Sequence, residues 1–211
     1  KTTARVVAIE KDAELVTSLQ ETFSPEIHGG SLVLRECDVR DFDPGDGTLK
    51  IPYVLAANIP YYITGEIIRK FLETTAQPRA MALLIQKEVA ERIVARDGKE
   101  SILSLSVKAY GTPSIVAKVP ASCFNPPPSV DSAILLVSNI SLAFFADISQ
   151  ELFFKVIKAG FASKRKQLGG NLEKVFGVQG DSALVDAGIE RTKRAEDVTL
   201  EKWGVLVRNL A

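Results

Sequence analysis

Residues 53–72 read YVLAANIPYYITGEIIRKFL, and this segment decides the fold. Its first five residues, from Tyr53 to Ala57, are apolar and predict a strand buried on both faces. The corner Asn58-Ile59-Pro60-Tyr61-Tyr62 ends that strand. Thr64 is then the expected cap of a helix with one apolar face, formed by Ile67, Ile68, Phe71 and Leu72. A buried strand followed by an amphipathic helix is the repeating unit of an α/β fold.

The same alternation extends to both sides of this segment. Strands are predicted at 5–9, 32–37, 81–85, 114–119 and 132–137, and helices after Asp12 and over 88–95. Residues 101–110 alternate in a way that favours a strand, although they follow a helical segment. After residue 146 the periodicity is helical only. We predict a parallel-based sheet with helices on both faces over residues 1–146 and a small all-α domain over 147–211.

Composition restricts the possible classes of protein. The 211 residues are 46% hydrophobic and 25% charged, as expected for a globular protein. No apolar run approaches the roughly 20 residues of a membrane span. Cys37 and Cys123 lack C-x-x-C spacing, which favours a reducing, cytoplasmic location. The single histidine, His28, argues against a histidine-based triad or metal site, and we predict no metal.

Charge is balanced over the chain but uneven along it. Lysine and arginine number 26, as do aspartate and glutamate. Residues 150–175 nevertheless carry six basic and two acidic side chains, a local net charge of +4. A polyanionic partner would therefore bind a patch, and Lys164, Arg165 and Lys166 are the candidate RNA-phosphate contacts, with a solvated helix end as the alternative.

Polar residues follow three predicted strands, at the edge where α/β sheets bind ligands. Glu10 ends the first strand and is suited to the two hydroxyls of a ribose. Asp38 follows the second and can accept a hydrogen bond from an adenine amino group. Asn58 follows the third. Each acidic residue alone is more often a helix cap or a solvated loop charge, but their repetition predicts a nucleoside site.

The Asn58-Ile59-Pro60-Tyr61 corner predicts transfer of a methyl group to an amine. The exocyclic nitrogen of adenine is a poor nucleophile because its lone pair is delocalised into the ring. If the Asn58 side-chain oxygen and the Pro60 carbonyl each accept one N–H of this amino group, the nitrogen is pushed toward tetrahedral geometry. Tyr61 would stack on the base, and Phe124, on the stiff Pro126-Pro127-Pro128 loop, would cover the other face. A plain turn with core aromatic residues is the structural alternative.

Four motifs occur in an order that resembles the ribosomal RNA adenine N6,N6-dimethyltransferases, in particular the small-subunit enzymes whose loss gives kasugamycin resistance. They are NIPY at 58–61, QKEVA at 86–90, FNPPPSVDSA at 124–133 and the segment from Ala159-Gly160-Phe161 to Lys164-Arg165-Lys166-Gln167-Leu168. The resemblance covers nearly the whole chain. It implies a class I, Rossmann-like methyltransferase fold, S-adenosylmethionine as cofactor, and a helical structure for residues 101–110.

The resemblance also implies roles for individual residues. Glu10, with Lys11 beside it, would bind the cofactor ribose, Asp38 and Val39 its adenine, and Asn58 would face the methyl group. Asn58, Pro60, Tyr61 and Phe124 would form the catalytic pocket. The implied substrate is a pair of adjacent adenines near the 3′ end of 16S rRNA in the 30S subunit precursor, which gives a role in ribosome biogenesis. We expect a cytoplasmic monomer.

Three other functions stay open from the sequence. They are a non-catalytic RNA-binding or ribosome-assembly module with the same fold, a large-subunit rRNA adenine methyltransferase, and a DNA adenine methyltransferase, which usually carries Asp-Pro-Pro-Tyr instead. The sequence starts at Lys1 without the first strand and Gly-rich loop of the family. We therefore expect an N-terminally truncated form that binds cofactor weakly or not at all, from an active full-length parent.

Overall fold

The computed structural model describes residues 5–163 and 165–211. The strands of this part of the chain are β1 (Val6–Glu10), β2 (Leu32–Glu36), β3 (Val54–Asn58), β4 (Ala80–Gln86), β5 (Thr112–Val119) and β6 (Ser132–Ser138). Its α-helices are α1 (Ala13–Thr22), α2 (Ser24–His28), α3 (Thr64–Glu73), α4 (Lys87–Val94), α5 (Ile102–Lys108), α6 (Gln150–Gly160), α7 (Leu168–Phe176), α8 (Val178–Asp186) and α9 (Leu200–Arg208). The predicted α/β class is confirmed. No helix within the described ranges has the length and apolarity to cross a bilayer.

The strands form two sheets, of which the larger is of mixed direction. β1 and β2 pair in parallel, and a second sheet has the order β3-β4-β6-β5. β3 and β4 are parallel, whereas β6 runs antiparallel to both β4 and β5. The sequence predicted a parallel-based sheet because helices alternate with the early strands. β5 runs in the same direction as β3 and β4, and only β6 is reversed. It is reversed because no α-helix separates it from β5, and the loop between them returns the chain beside β4 in the opposite direction.

The segment around β3 folds largely as its pattern predicts. Ile67, Ile68, Phe71 and Leu72 of α3 are each at most 2% exposed. The predicted cap at Thr64 is wrong, because Thr64 is already the first helical residue and Ile63 precedes it without a capping side chain. A 3₁₀ turn over Tyr61–Ile63 runs directly into α3 and supplies backbone hydrogen bonds to the helix start instead.

Residues 101–110 are helical, as the family resemblance implies, and the strand-like alternation is misleading. Ser101 accepts a hydrogen bond from the Ser104 N–H, and the Ser104 hydroxyl accepts one from the Ser101 N–H, which is a capping box. Leu105, Val107 and Ala109 are all buried. A short helix that is buried on most sides lacks a polar face, so its periodicity does not distinguish it from a strand.

The chain after residue 146 is helical, as predicted. Trp203 of α9 and Phe153 of α6 are fully buried, and the Phe161 ring stacks on Trp203 at a centroid distance of 5.9 Å. Near the other end of the chain, α1 buries Val16, while its neighbour Leu15 is half exposed. The boundary at 146 stays a prediction.

Replacement of Gly160 by alanine should destabilise this helical part. A Cβ at Gly160 would overlap the Trp203 ring and lie 2.9 Å from Leu168 Cδ1. We expect a loss of about 1–3 kcal/mol in the free energy of unfolding, measured by urea denaturation. Gly170→Ala in α7 is the control, because nothing lies within 4 Å of its Cβ, and it should stabilise by about 0.5–1 kcal/mol. Equal effects of the two substitutions would contradict this packing.

Candidate functional site

The corner that begins with Asn58 is fixed by backbone contacts on both sides. Asn58 is the last residue of β3, and the Ile59 N–H donates to the Leu84 carbonyl of β4 at 3.3 Å. The ring of Pro60 fixes φ at −55°, and the 3₁₀ turn begins at Tyr61. Ile59 is 4% exposed and anchors the corner in the core, whereas Asn58 and Pro60 are exposed. The polar atoms of the corner therefore face open space on a rigid support.

A cleft of about 450 Å³ lies between the two sheets. β1 and β3 line it from opposite sides, and the 3₁₀ turn and α3 close it. The structure brings all the predicted cofactor residues to this cleft, namely Glu10, Lys11, Asp38, Val39 and Asn58.

Glu10 is held in place by the backbone that follows it. Its Oε1 accepts hydrogen bonds from the N–H groups of Lys11 and Asp12, at 2.8 and 2.9 Å. Asp12 in turn caps α1 by accepting from the N–H groups of Glu14 and Leu15. One carboxylate oxygen of Glu10 is thus used locally, and Oε2 is left to accept hydrogen bonds from a ligand.

Asp38 makes a fork-like ion pair that the sequence analysis missed. Arg40 donates its backbone N–H and Nε to Asp38 Oδ1, at 2.9 and 3.0 Å, and its Nη2 to Oδ2 at 2.7 Å. The Arg40 hydrogen bonds hold the pKa of the Asp38 carboxyl well below its usual range, and Lys11 contributes a weaker charge effect. Asp38 is therefore an anion whose orientation is set by Arg40. The sequence signal that could have predicted this ion pair is the basic residue two positions after the aspartate at the strand end.

A second cavity, of about 300 Å³, lies on the other side of the corner. It contains every residue predicted for the catalytic pocket, and its lining is Asn58, Ile59, Pro60, Tyr61, Phe124, Pro126 and Pro128. Tyr61 and Phe124 are partly buried and so present ring surface to it. Asn58, Ile59 and Pro60 line both this cavity and the cleft, so one short segment separates the two spaces.

The predicted basic patch lies apart from these cavities. Arg165 and Lys166 are exposed in the segment before α7, and Lys164 lies outside the described residues. A larger cavity, of about 940 Å³, is bordered by α4 and the chain that follows it. The cations that line it, Arg92, Arg96 and Lys99, are each paired with a carboxylate. They are therefore less suited to bind an anion than the exposed Arg165 and Lys166.

Comparison with known proteins gives consistent matches. A family model described as ribosomal RNA adenine dimethylase matches residues 1–211. "Ribosomal RNA small subunit methyltransferase A" of Dehalococcoides mccartyi is 41% identical over 98% of this chain and 71% of its own length. The protein of the same name from Fusobacterium nucleatum is 36% identical over 97% of this chain and 77% of its own length.

Two solved structures share the fold. A dimethyladenosine transferase from Plasmodium falciparum superposes with a TM-score of 0.77 at 22% identity, covering 96% of this chain and 80% of the other. The 23S rRNA methyltransferase ErmE gives a TM-score of 0.74 at 23% identity, covering 98% of this chain and 82% of the other. Both support the predicted class I methyltransferase fold.

Arg40→Gln should raise the pKa of the Asp38 carboxyl toward its ordinary value of about 3.9, because the guanidinium hydrogen bonds that favour the anion are lost. NMR titration of the carboxyl carbon would measure this change. Asp46 is the matched control, since its pKa is lowered by hydrogen bonds from Thr48. An unchanged Asp38 titration would show that Arg40 does not set its ionisation.

The same ion pair predicts how stability depends on pH. A carboxyl whose pKa is lower in the folded state adds stability above its unfolded pKa of about 3.9, and this is lost as pH falls toward the folded value. The stability difference between the wild type and Arg40→Gln should therefore be constant at neutral pH and shrink below about pH 4.

Proposed function

We infer that this chain, which belongs to the ribosomal RNA adenine dimethylase family, is an S-adenosylmethionine-dependent enzyme that dimethylates adenines of small-subunit rRNA. One observation of the structure supports this most directly. Asn58, Ile59 and Pro60 border, on one side, the cleft that Glu10 and Asp38 line and, on the other, an aromatic-lined cavity. A methyl transferase needs such an arrangement, because donor and acceptor must enter from different sides and meet at one point.

The small subunit is favoured over the large subunit as the source of the substrate. Relatives up to 41% identical carry the small-subunit name, whereas the large-subunit enzyme ErmE is 23% identical and supports the fold alone. We propose further that the target is a pair of adjacent adenines near the 3′ end of the rRNA, in the RNA or in the 30S subunit.

The cofactor site is proposed on the fit of the cleft. Glu10 Oε2 is free of the local backbone bonds and would accept from the ribose hydroxyls. Asp38 Oδ1 accepts two hydrogen bonds from Arg40 and Oδ2 accepts one, so Oδ2 keeps a lone pair that would accept from the adenine amino group. Val39 and Lys11 complete this lining. When bound, S-adenosylmethionine supplies an electrophilic methyl group on a sulfonium.

Asn58 is proposed to make the target nitrogen nucleophilic. Among the residues that the structure describes, none hydrogen-bonds to its side-chain amide, so its oxygen can accept an N–H of the adenine amino group. A backbone carbonyl of residues 59–60 would accept the other N–H. The Pro60 carbonyl accepts from the Ile63 N–H at 3.1 Å and keeps one lone pair for this, while the Ile59 carbonyl has no partner in the described chain.

The target base is proposed to lie between Tyr61 and Phe124. An adenine in a folded RNA must leave its stack to enter a pocket, at a cost of a few kcal/mol. Stacking on aromatic side chains returns about 1–3 kcal/mol per base, and two rings can offset most of that cost. The prolines at 126 and 128 also line this cavity and hold the loop that carries Phe124 stiff.

Asn58→Ala in the complete protein should lower methyl transfer by about 10²–10³-fold, because an acceptor that acts on the developing charge is removed. The measurement is incorporation of labelled methyl from S-adenosylmethionine into undermethylated 30S subunits. Asn209→Ala, the same change at the exposed end of α9, is the control and should leave the rate unaltered. Undiminished incorporation by Asn58→Ala would refute the proposed mechanism.

Neutralisation of Lys164, Arg165 and Lys166 to glutamine tests the RNA contact. If these side chains neutralise phosphates, the slope of log affinity against log salt should become shallower by about two. The control variant carries the same change to glutamine at Arg5, Lys50 and Arg69. It removes the same charge elsewhere and so measures the effect of the overall charge of the protein. The same slope in both triple variants would assign the 164–166 cluster to solubility alone.

A further inference from the structure

We propose that Ser132 is a positioning residue for methyl transfer, which sets the orientation of the Tyr61 ring and thereby the width of the base cavity. This proposal rests on the proposed function, since it concerns the pocket assigned to the target adenine. Ser132 lines neither the cofactor cleft nor the base cavity. Any effect on the reaction must therefore be transmitted through the residue it contacts.

The contact is a hydrogen bond between two hydroxyl groups. Tyr61 Oη and Ser132 Oγ are 2.8 Å apart, although the residues are 71 positions apart in sequence. Ser132 is the first residue of β6, is 0% exposed, and pairs with Gln86 of β4 and Val119 of β5. A side chain between two paired strands cannot move far. The bond thus connects the hydroxyl end of the Tyr61 ring to a strand that is paired on both sides.

A serine at this place needs an explanation. Ile134 and Leu136, which share its face of β6, are apolar and only partly buried, whereas Ser132 is fully buried. A buried hydroxyl without a partner costs about 1–3 kcal/mol. Tyr61 is the side-chain partner of Ser132 in the described structure, so the hydroxyl of Ser132 is accounted for by the aromatic residue of the base cavity.

The opposite wall of the cavity is tied to the adjacent residue. Asp131 accepts hydrogen bonds from the Lys87 N–H through its carbonyl, at 3.0 Å, and from the Ala121 N–H through Oδ1, at 3.1 Å. These bonds fasten the loop that carries Phe124 to the start of α4. Tyr61 and Phe124 are therefore held by two consecutive residues, Asp131 and Ser132, and their separation depends on this short segment.

The hydrogen bond matters for the rate because the tyrosine ring alone is not fully fixed. The terminal torsion of an aromatic side chain has broad minima, and Tyr61 is only partly buried. A ring that turns away lets the base shift relative to Asn58. Because a displacement of 1 Å can reduce a rate by about 10²-fold, loss of the anchor should reduce kcat by about tenfold.

Ser132→Ala in the complete protein tests this, with Tyr61→Phe as the complementary removal of the other hydroxyl. Each should lower kcat for methylation of undermethylated 30S subunits by about tenfold, with an unchanged KM for S-adenosylmethionine, because Tyr61 does not line the cofactor cleft. Ser138→Ala is the matched control. It makes the same change at the other end of β6, where the hydroxyl bonds to the Thr112 carbonyl.

The double variant Tyr61→Phe/Ser132→Ala separates positioning from folding. Each single variant leaves one buried hydroxyl unpaired and should lower the melting temperature, whereas the double variant leaves none and should recover it. If Ser132 positions Tyr61, kcat of the double variant stays as low as in the single variants. If kcat recovers together with the melting temperature, Ser132 is merely structural and the proposal is overturned.

Tyr61→Ala in the same assay distinguishes the proposal for Ser132 from the proposal for the base cavity. A large loss with Tyr61→Ala but none with Ser132→Ala would overturn the role of Ser132 and leave the base cavity intact. No loss with Tyr61→Ala would instead remove Tyr61 from the reaction, and the proposed base site would fail together with its anchor.

Discussion

The end of the β3–β4 ladder is the constraint on which the site depends. The β3–β4 pairing ends with the bond from Ile59 to Leu84, and Pro60, whose ring fixes φ near −55°, directs the chain out of the sheet. The 3₁₀ turn that follows leads into α3, whose apolar face is buried in the core. The Asn58 side chain is thus exposed at a point that packing on both sides prevents from moving.

The two cavities at this corner differ in how their walls are held. On the cofactor side the ordering contacts are local, since Glu10 bonds to the backbone of Lys11 and Asp12, and Asp38 bonds to Arg40. On the base side they are long-range, since Tyr61 bonds to Ser132 and the Phe124 loop is held between Ala121, Asp131 and Lys87. The first set can form as soon as each strand end is ordered, whereas the second requires the complete β3-β4-β6-β5 sheet.

This difference explains how much could be predicted from the sequence. Buried strands such as β4 and the amphipathic helix α3 have patterns that follow from their burial, so both were predicted correctly. Glu10, Asp38 and Asn58 were identified because a strand end is a local feature. The direction of β6 depends on where a loop returns the chain, and the Tyr61–Ser132 bond joins distant positions. Neither is encoded in a short pattern of residue types.

Motifs in a sequence thus identify candidate ligand contacts more readily than the residues that hold those contacts in place. The four ordered motifs include Lys87, Asp131 and Ser132, for which the motifs predicted no role, and the structure shows them in hydrogen bonds that join β6, α4 and the Phe124 loop. Within one motif, some members are proposed to contact the substrate, and others hold those members at a fixed distance. Under the proposed function the base lies between two rings and within reach of Asn58, so the spacing of the rings would be as strict a requirement as the rings themselves.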